Sequence, residues 1–163
     1  MRMEVEQLLA LRKIKAISDY QFSPEITDIL FKDIKNIKIK RSKNTHKIRY
    51  VYLNNDLLLA LRPTNGFFTL TILSADKIIQ NLPPPRLRAV VDSEISEFIQ
   101  KGRNVFCKHI LEIDENLRPN DEIIIVNQEG KILAIGRVKI PVHYIKQFKR
   151  GIAIDVRKGI KQS

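Results

Sequence analysis

Residues 121–140 read DEIIIVNQEGKILAIGRVKI. Two apolar, β-branched runs, DEIIIVN and KILAIGRVKI, flank the turn NQEG, which predicts a β-hairpin. Gly136 sits inside the second run, where a glycine marks a bulge or a close backbone approach. Upstream, LRAVVD reads as a strand. Ser93 then caps a short helix, SEISEFIQK, which stops at Gly102. VFCKHILEI reads as one further strand. Downstream, Pro141 opens a short helix, PVHYIKQF, and GIAIDVRKG alternates Ile152, Ile154 and Val156 as a last strand. Several short strands with small helices predict a closed or nearly closed barrel. The polar tail, 158–163, is expected to fray.

Ahead of this block stands NLPPPR, residues 81–86. Three prolines cannot continue a helix or a central strand, so an extended connector and a domain boundary are expected there. The expected domains are residues 1–82 and 86–163. In the first, Val5, Leu8, Leu9 and Leu11 predict an amphipathic helix over 3–16. Ser23, Pro24 and Glu25 predict the capped start of a second helix, SPEITDILF. NIKIK, KIRYVYL and LLLALR read as strands of an antiparallel sheet. For residues 66–81 the spacing of Phe67, Leu70, Leu73 and Ile78 favours a helix, although FFTLTIL is rich in β-formers. The fold class expected is α+β.

The chain has 163 residues, with 29 Lys and Arg against 18 Asp and Glu, a formal net charge of +11. Such a charge repels itself in the folded state and is relieved by a polyanion, nucleic acid before an anionic membrane. A lone cysteine forms no internal disulfide. No stretch approaches the roughly 20 apolar residues of a membrane span, and the apolar run at 8–11 is too short for a signal peptide. A cytoplasmic protein without membrane attachment is expected.

Catalytic signatures are missing. Cys107 has no second cysteine at metal-binding spacing, and His46, His109 and His143 are scattered singly. On a continuous strand Cys107 and His109 would share a face, but nothing in the sequence supplies an orienting group or oxyanion site. Phosphate-cradling glycine loops and the nucleophile-elbow pattern are absent. The carboxylates at 114–116 and 120–122 flank turns, where they serve backbone geometry. No catalytic residue, metal or cofactor is expected.

The cations cluster twice. Between Asp33 and Asp56 no acid occurs, while Lys38, Lys40, Arg41, Lys43, Lys47 and Arg49 do, with Tyr50 and Tyr52 close by. On paired strands these would form one basic patch. From Gly130 onward only Asp155 is acidic; arginines stand beside glycines at Gly136–Arg137 and Arg150–Gly151, and Arg157 and Lys158 come just ahead of Gly159. A glycine lets a phosphate reach main-chain amides while a guanidinium holds its oxygens.

The run VVDSEISEFIQKGRNVFCKHILEIDENLRPNDEIIIVNQEGKILAIGRVKI, with FKRGIAIDVRKG, resembles a PUA domain over residues 86–161. The motifs carrying the likeness are G-x-x-V-F-x-K-H, R-P-x-D-E-I, A-I-G-R and R-G-x-A-x-x-V-R. DYQF, LRPTNGFFTL and ADKI resemble the segment preceding the PUA domain in archaeosine tRNA-guanine transglycosylase. SKNTHKIR replaces the glycine-containing turn usual there, and Ser74 stands where a glycine is common.

The resemblance implies a small pre-PUA α/β domain with an antiparallel sheet, followed by a PUA pseudo-β-barrel. It implies an archaeal RNA-binding protein without the catalytic barrel, an accessory subunit that holds tRNA around the acceptor stem for a catalytic transglycosylase subunit. A free-standing PUA factor of ribosome assembly or translation is the alternative. The RNA contacts it implies are Gly102, Arg103, Asn104, Lys108, Gly136 and Arg137, extended by Lys149, Arg150 and Arg157. The patch at Lys38–Arg49 is secondary, open to RNA or a partner protein. On this reading Cys107 is buried filler.

Overall fold

The computed structural model describes residues 2–162, with side chains from residue 5. The chain divides into two compact units, residues 1–81 and 82–163.

In the first unit α1 (Arg2–Gln21) and α2 (Pro24–Leu30) form a helical hairpin. The Ser23 hydroxyl accepts the Ile26 amide at 3.1 Å, the N-cap expected from Ser-Pro-Glu. Inside the hairpin the buried Thr27 hydroxyl donates to Ser18 Oγ at 2.7 Å, so two buried polar groups between the helices satisfy each other. An antiparallel sheet follows in the order β1 (Ile37–Arg41), β2 (Ile48–Leu53), β3 (Asp56–Leu61), β4 (Phe68–Leu70). Ile14, Ile26, Leu30, Val51, Leu59, Phe68 and Ile78 are buried in this unit's core.

The segment 66–81 departs from expectation. Phe68–Leu70 pair with β3 as a strand, and only then does α3 (Ile72–Asn81) begin. The switch is made by Thr71 and Ser74. The Thr71 amide donates to Ser74 Oγ at 2.8 Å, and the Ser74 amide to Thr71 Oγ1 at 3.3 Å. This is a reciprocal capping box in which serine takes the place of the usual Glu or Gln.

The second unit is a nearly closed, six-stranded barrel-like sheet in the order β6-β10-β9-β8-β5-β7. The strands are β5 (Arg88–Val91), β6 (Val105–Phe106), β7 (Ile110–Ile113), β8 (Glu122–Val126), β9 (Ile132–Val138) and β10 (Ile152–Gly159). Among the described residues only β5 and β8 pair in parallel. The hairpin expected at 121–140 is present as β8 and β9. Val91, Ile99, Val105, Cys107, Ile113, Ile123, Ile125, Leu133, Val138 and Ile154 fill the interior. Helices α4 (Ser96–Gln100) and α5 (Val142–Ile145) complete it.

Four local expectations are corrected. VFCKHILEI is not one strand: a 3-10 turn, Cys107–His109, separates β6, paired with β10, from β7, paired with β5. A chain that closes a barrel changes partners at a corner, and residue alternation does not register that change. The turn before α4 is capped by Asp92, which accepts the Glu94 amide at 3.0 Å, while Ser93 Oγ accepts the Gln128 amide at 3.3 Å. The proline run is not extended: the Arg86 amide bonds Pro83 O at 3.2 Å and the Arg88 amide Pro85 O at 3.0 Å. Over it folds Arg88, 3% exposed, donating to Leu82 O at 2.6 Å and Arg86 O at 3.1 Å. Finally, residues 159–162 are fastened: the Lys161 amide bonds Gln100 O at 2.9 Å, and Gln162 Oε1 accepts the Gly159 amide at 3.0 Å. Ser163 lies outside the described residues.

Candidate nucleic-acid interface

Residues 102–107 leave α4 and run antiparallel along β10. The helix ends in a Schellman motif. The Gly102 amide bonds Ile99 O at 3.0 Å, the Arg103 amide bonds Phe98 O at 3.1 Å, and Gly102 has φ +100°. The exit turns Arg103 back over its own helix, its guanidinium 5.6 Å from the centre of the exposed Phe98 ring. Next, Asn104 Oδ1 accepts the Val156 amide at 2.9 Å. Val105 then pairs with Ile154 and Phe106 with Ile152. The Cys107 amide closes the run by donating to Gly151 O at 3.0 Å.

That last bond sets the charge. Gly151, at φ +99°, ends the exposed pair Lys149–Arg150. Its carbonyl holds the 3-10 turn that presents the exposed Lys108. Two segments separated by some forty residues of sequence therefore bring Lys108, Lys149 and Arg150 to one end of the β6–β10 edge. Arg103 stands at the other. None of the four has a hydrogen-bonded or ion-paired partner for its charged group among the described residues.

Three expected contact residues have internal work. Gly136 is buried, and a Cβ built on it would lie 2.2 Å from Asp155 O. Its bareness allows β9 and β10 to approach and opens no path to a phosphate. Asn104 holds the Val156 amide next to the bulge in β10 between Val156 and Lys158. Arg157 grips Glu122 with both terminal nitrogens, at 2.9 and 2.5 Å. Glu122 is 3% exposed and opens β8, so it is not a turn residue as its sequence neighbours implied. The signal was present: one carboxylate heading a wholly buried strand, Glu-Ile-Ile-Ile-Val, calls for a cation. Arg137 is exposed on β9, in register with Glu122 and Asp155.

The other basic patch lies in the first unit. Lys38 is opposite Tyr52 and Lys40 opposite Tyr50, so cations and rings share a face of β1–β2. The Arg49 guanidinium lies 5.8 Å from the Tyr50 ring centre. Arg41 closes its own turn by donating to His46 O at 2.9 Å; Lys43 and Lys47 are exposed around that turn.

Reactive chemistry has no foothold at Cys107. The thiol is buried, and burial pushes it upward from its usual range, a main-chain hydrogen bond opposing in part. The 3-10 turn breaks the alternation that would have aligned it with His109. Among the described residues no group of His, Cys, Asp and Glu is arranged to hold a metal ion. No described helix is long and apolar enough to cross a membrane.

Residues 12–85 match the patch-forming domain C2 of tRNA-guanine transglycosylase, and residues 88–160 match the PUA domain. The tRNA-guanine(15) transglycosylase of Methanobrevibacter smithii is 40% identical over 152 residues, 93% of this chain and 23% of that protein. That of Thermococcus onnurineus is 36% identical over 149 residues, 91% of this chain and 25% of that protein. The chain thus spans about a quarter of the length of the curated relatives it matches. Among solved structures, a hypothetical protein from Pyrococcus horikoshii superposes with TM-score 0.75 at 20% identity, covering 94% of this chain and 91% of that one. A PUA domain protein from Thermoplasma acidophilum gives TM-score 0.57 at 18% identity, covering 76% and 75%. Both show the fold. Motif, architecture and similarity agree: the chain joins a C2 patch-forming domain to a PUA domain, and in this it is similar to the C-terminal RNA-binding region of the archaeal tRNA-guanine transglycosylases.

Proposed function

We propose that the chain is an RNA-binding accessory subunit that holds tRNA for a transglycosylase whose base exchange is performed by a separate catalytic subunit. The observation that carries this reading is the β6–β10 edge, where Arg103, Lys108, Lys149 and Arg150 are exposed and unpaired in a PUA domain. A row of free cations along a short, rigid edge suits the phosphates and 2′-hydroxyls of an A-form helix, and we assign the acceptor stem as its target. Arg137 extends the row; Gly102 sets its geometry. The relatives' name supports tRNA over other RNAs. Catalysis is assigned elsewhere because the side chains gathered along this edge are cationic or amide and the adjoining Cys107 thiol is buried.

The test is direct titration of labelled tRNA with the full chain at several salt concentrations. Tight binding at low salt, with log K falling linearly in log salt, is expected. Undetectable binding to tRNA at low salt overturns the reading. Addition of the chain to a catalytic transglycosylase subunit is expected to raise that enzyme's affinity for tRNA. A free-standing role in ribosome assembly or translation is the second reading. It is favoured by the two-domain fold also accounting for 91% of the Pyrococcus horikoshii chain. Co-sedimentation with ribosomal particles, and no effect on the transglycosylase, would select it.

A further inference from the structure

The segment PVHYIKQF, at 141–148, was expected to be a short helix and nothing more. In the structure it carries a second feature. Val142 and Ile145 are buried and pin α5 to the barrel. The Phe148 amide donates to Tyr144 O at 2.8 Å, which continues the turn and places Phe148 over Tyr144. The two rings lie parallel within 6°, their centres 5.4 Å apart, and each residue is nearly half exposed, 41% and 48%. His143 packs against Tyr144 with ring centres 4.1 Å apart. Flat rings held parallel and open to solvent are a poor use of apolar area for folding alone.

The surroundings select the occupant. Lys149 and Arg150 follow Phe148 directly and belong to the cationic edge described above. The nearby carboxylate of Glu115 is already engaged by Lys146 at 2.6 Å. An apolar protein surface laid on these rings would also cover Lys149 and Arg150 without partners. An RNA strand offers both complements at once, a base with a π-face for the ring and a phosphate for the cation.

We infer that Tyr144 and Phe148 form a stacking platform for an unpaired RNA base at the Lys149–Arg150 end of the cationic edge. The inference rests on the RNA-binding reading and adds a single-stranded element to it. The Gly151 carbonyl, bonded to the Cys107 amide, fixes the platform's end of the loop to the Lys108 turn, so stacking and phosphate contacts are held in one frame.

The test uses the full chain and three RNA hairpins of one sequence: blunt, with a short run of unpaired adenosines at the 3′ end, and with the same run at the 5′ end. At least one overhang is expected to bind about tenfold more tightly than the blunt hairpin, the size of one base–aromatic stack. Tyr144→Ala with Phe148→Ala is expected to remove that advantage and leave blunt-hairpin binding unchanged. A 2-aminopurine in the overhang reports stacking independently: its emission is expected to fall on binding the parent chain and not the variant. Equal binding of all three hairpins by the parent chain overturns the inference while leaving RNA binding intact. So does an overhang advantage that survives both replacements, whether or not they change the chain's self-association. Failure of the blunt hairpin and both overhangs to bind at low salt overturns the RNA-binding reading itself.

Discussion

The Arg157 guanidinium on β10 and the Glu122 carboxylate on β8 form a two-pronged ion pair although β9 separates their strands. The Glu122 side chain is 2% exposed against 30% for Arg157, so the acid depends on this partner more than the base does. Arg157→Ala is therefore expected to lower folding stability by about 3 kcal/mol, because it leaves a buried carboxylate without its cation. Arg157→Lys should recover only part, since an ammonium cannot match the fork geometry. Urea denaturation measures both. A loss under about 1 kcal/mol for Arg157→Ala would show the pair to be incidental.

The free cations predict a different signature. Arg103→Ala, Lys108→Ala and Arg150→Ala should each weaken tRNA binding and reduce the slope of log K against log salt by roughly 0.7–0.9, with thermal stability unchanged. Lys38→Ala with Lys40→Ala tests the first unit's patch by the same slope. A constant slope there, with a changed slope for the β6–β10 set, assigns RNA to the second unit alone.

Glycine replacements separate packing from backbone strain. A Cβ at Gly136 would lie 2.2 Å from Asp155 O, and one at Gly159 would lie 2.2 Å from Gln100 O. Both neighbours are main chain, so Gly136→Ala and Gly159→Ala should each cost about 2 kcal/mol or more, read from denaturant midpoints. Gly130 has φ +83° and nothing within 4 Å of a built Cβ. Gly130→Ala should cost only the left-handed conformational penalty, about 1 kcal/mol.

Cys107 supplies a chemical test of the barrel. Its burial raises the thiol above its ordinary range, so the neutral form dominates at neutral and mildly alkaline pH. A thiol reagent at mildly alkaline pH should label the native chain far more slowly than the urea-unfolded chain. Comparable rates would mean the 107–109 turn opens readily.

Much of this architecture can be read from local chemistry. Ser23–Pro24–Glu25 writes its own helix start, and the Lys/Ile alternation of β1 shows in single residues, because capping and pleat are short-range. The resemblance motifs located the cationic edge. What escaped depends on distant partners. Thr71 and Ser74 cap each other without the acid that makes such a box conspicuous. The corner at Cys107–His109 exists because β6 and β7 serve opposite edges of the barrel. Arg157 looked like a phosphate ligand while Glu122, thirty-five residues earlier, went unrecognised as its partner. The aromatic pair at the end of α5 was hidden for a different reason: Tyr144 and Phe148 have helical spacing, which tells which residues align and not whether that side meets the core or water.

The buried Arg88 carries a practical lesson for anyone who would divide this polypeptide. Its guanidinium is held by the carbonyls of Leu82 and Arg86 and, among the described residues, by no carboxylate, and burial lowers its proton affinity. The prolines between are thus the lid over a cation rooted in β5. A fragment begun at residue 88 would lose both carbonyls that hold that charge, whereas one begun at Leu82 would keep them. The natural place to cut is before the proline run.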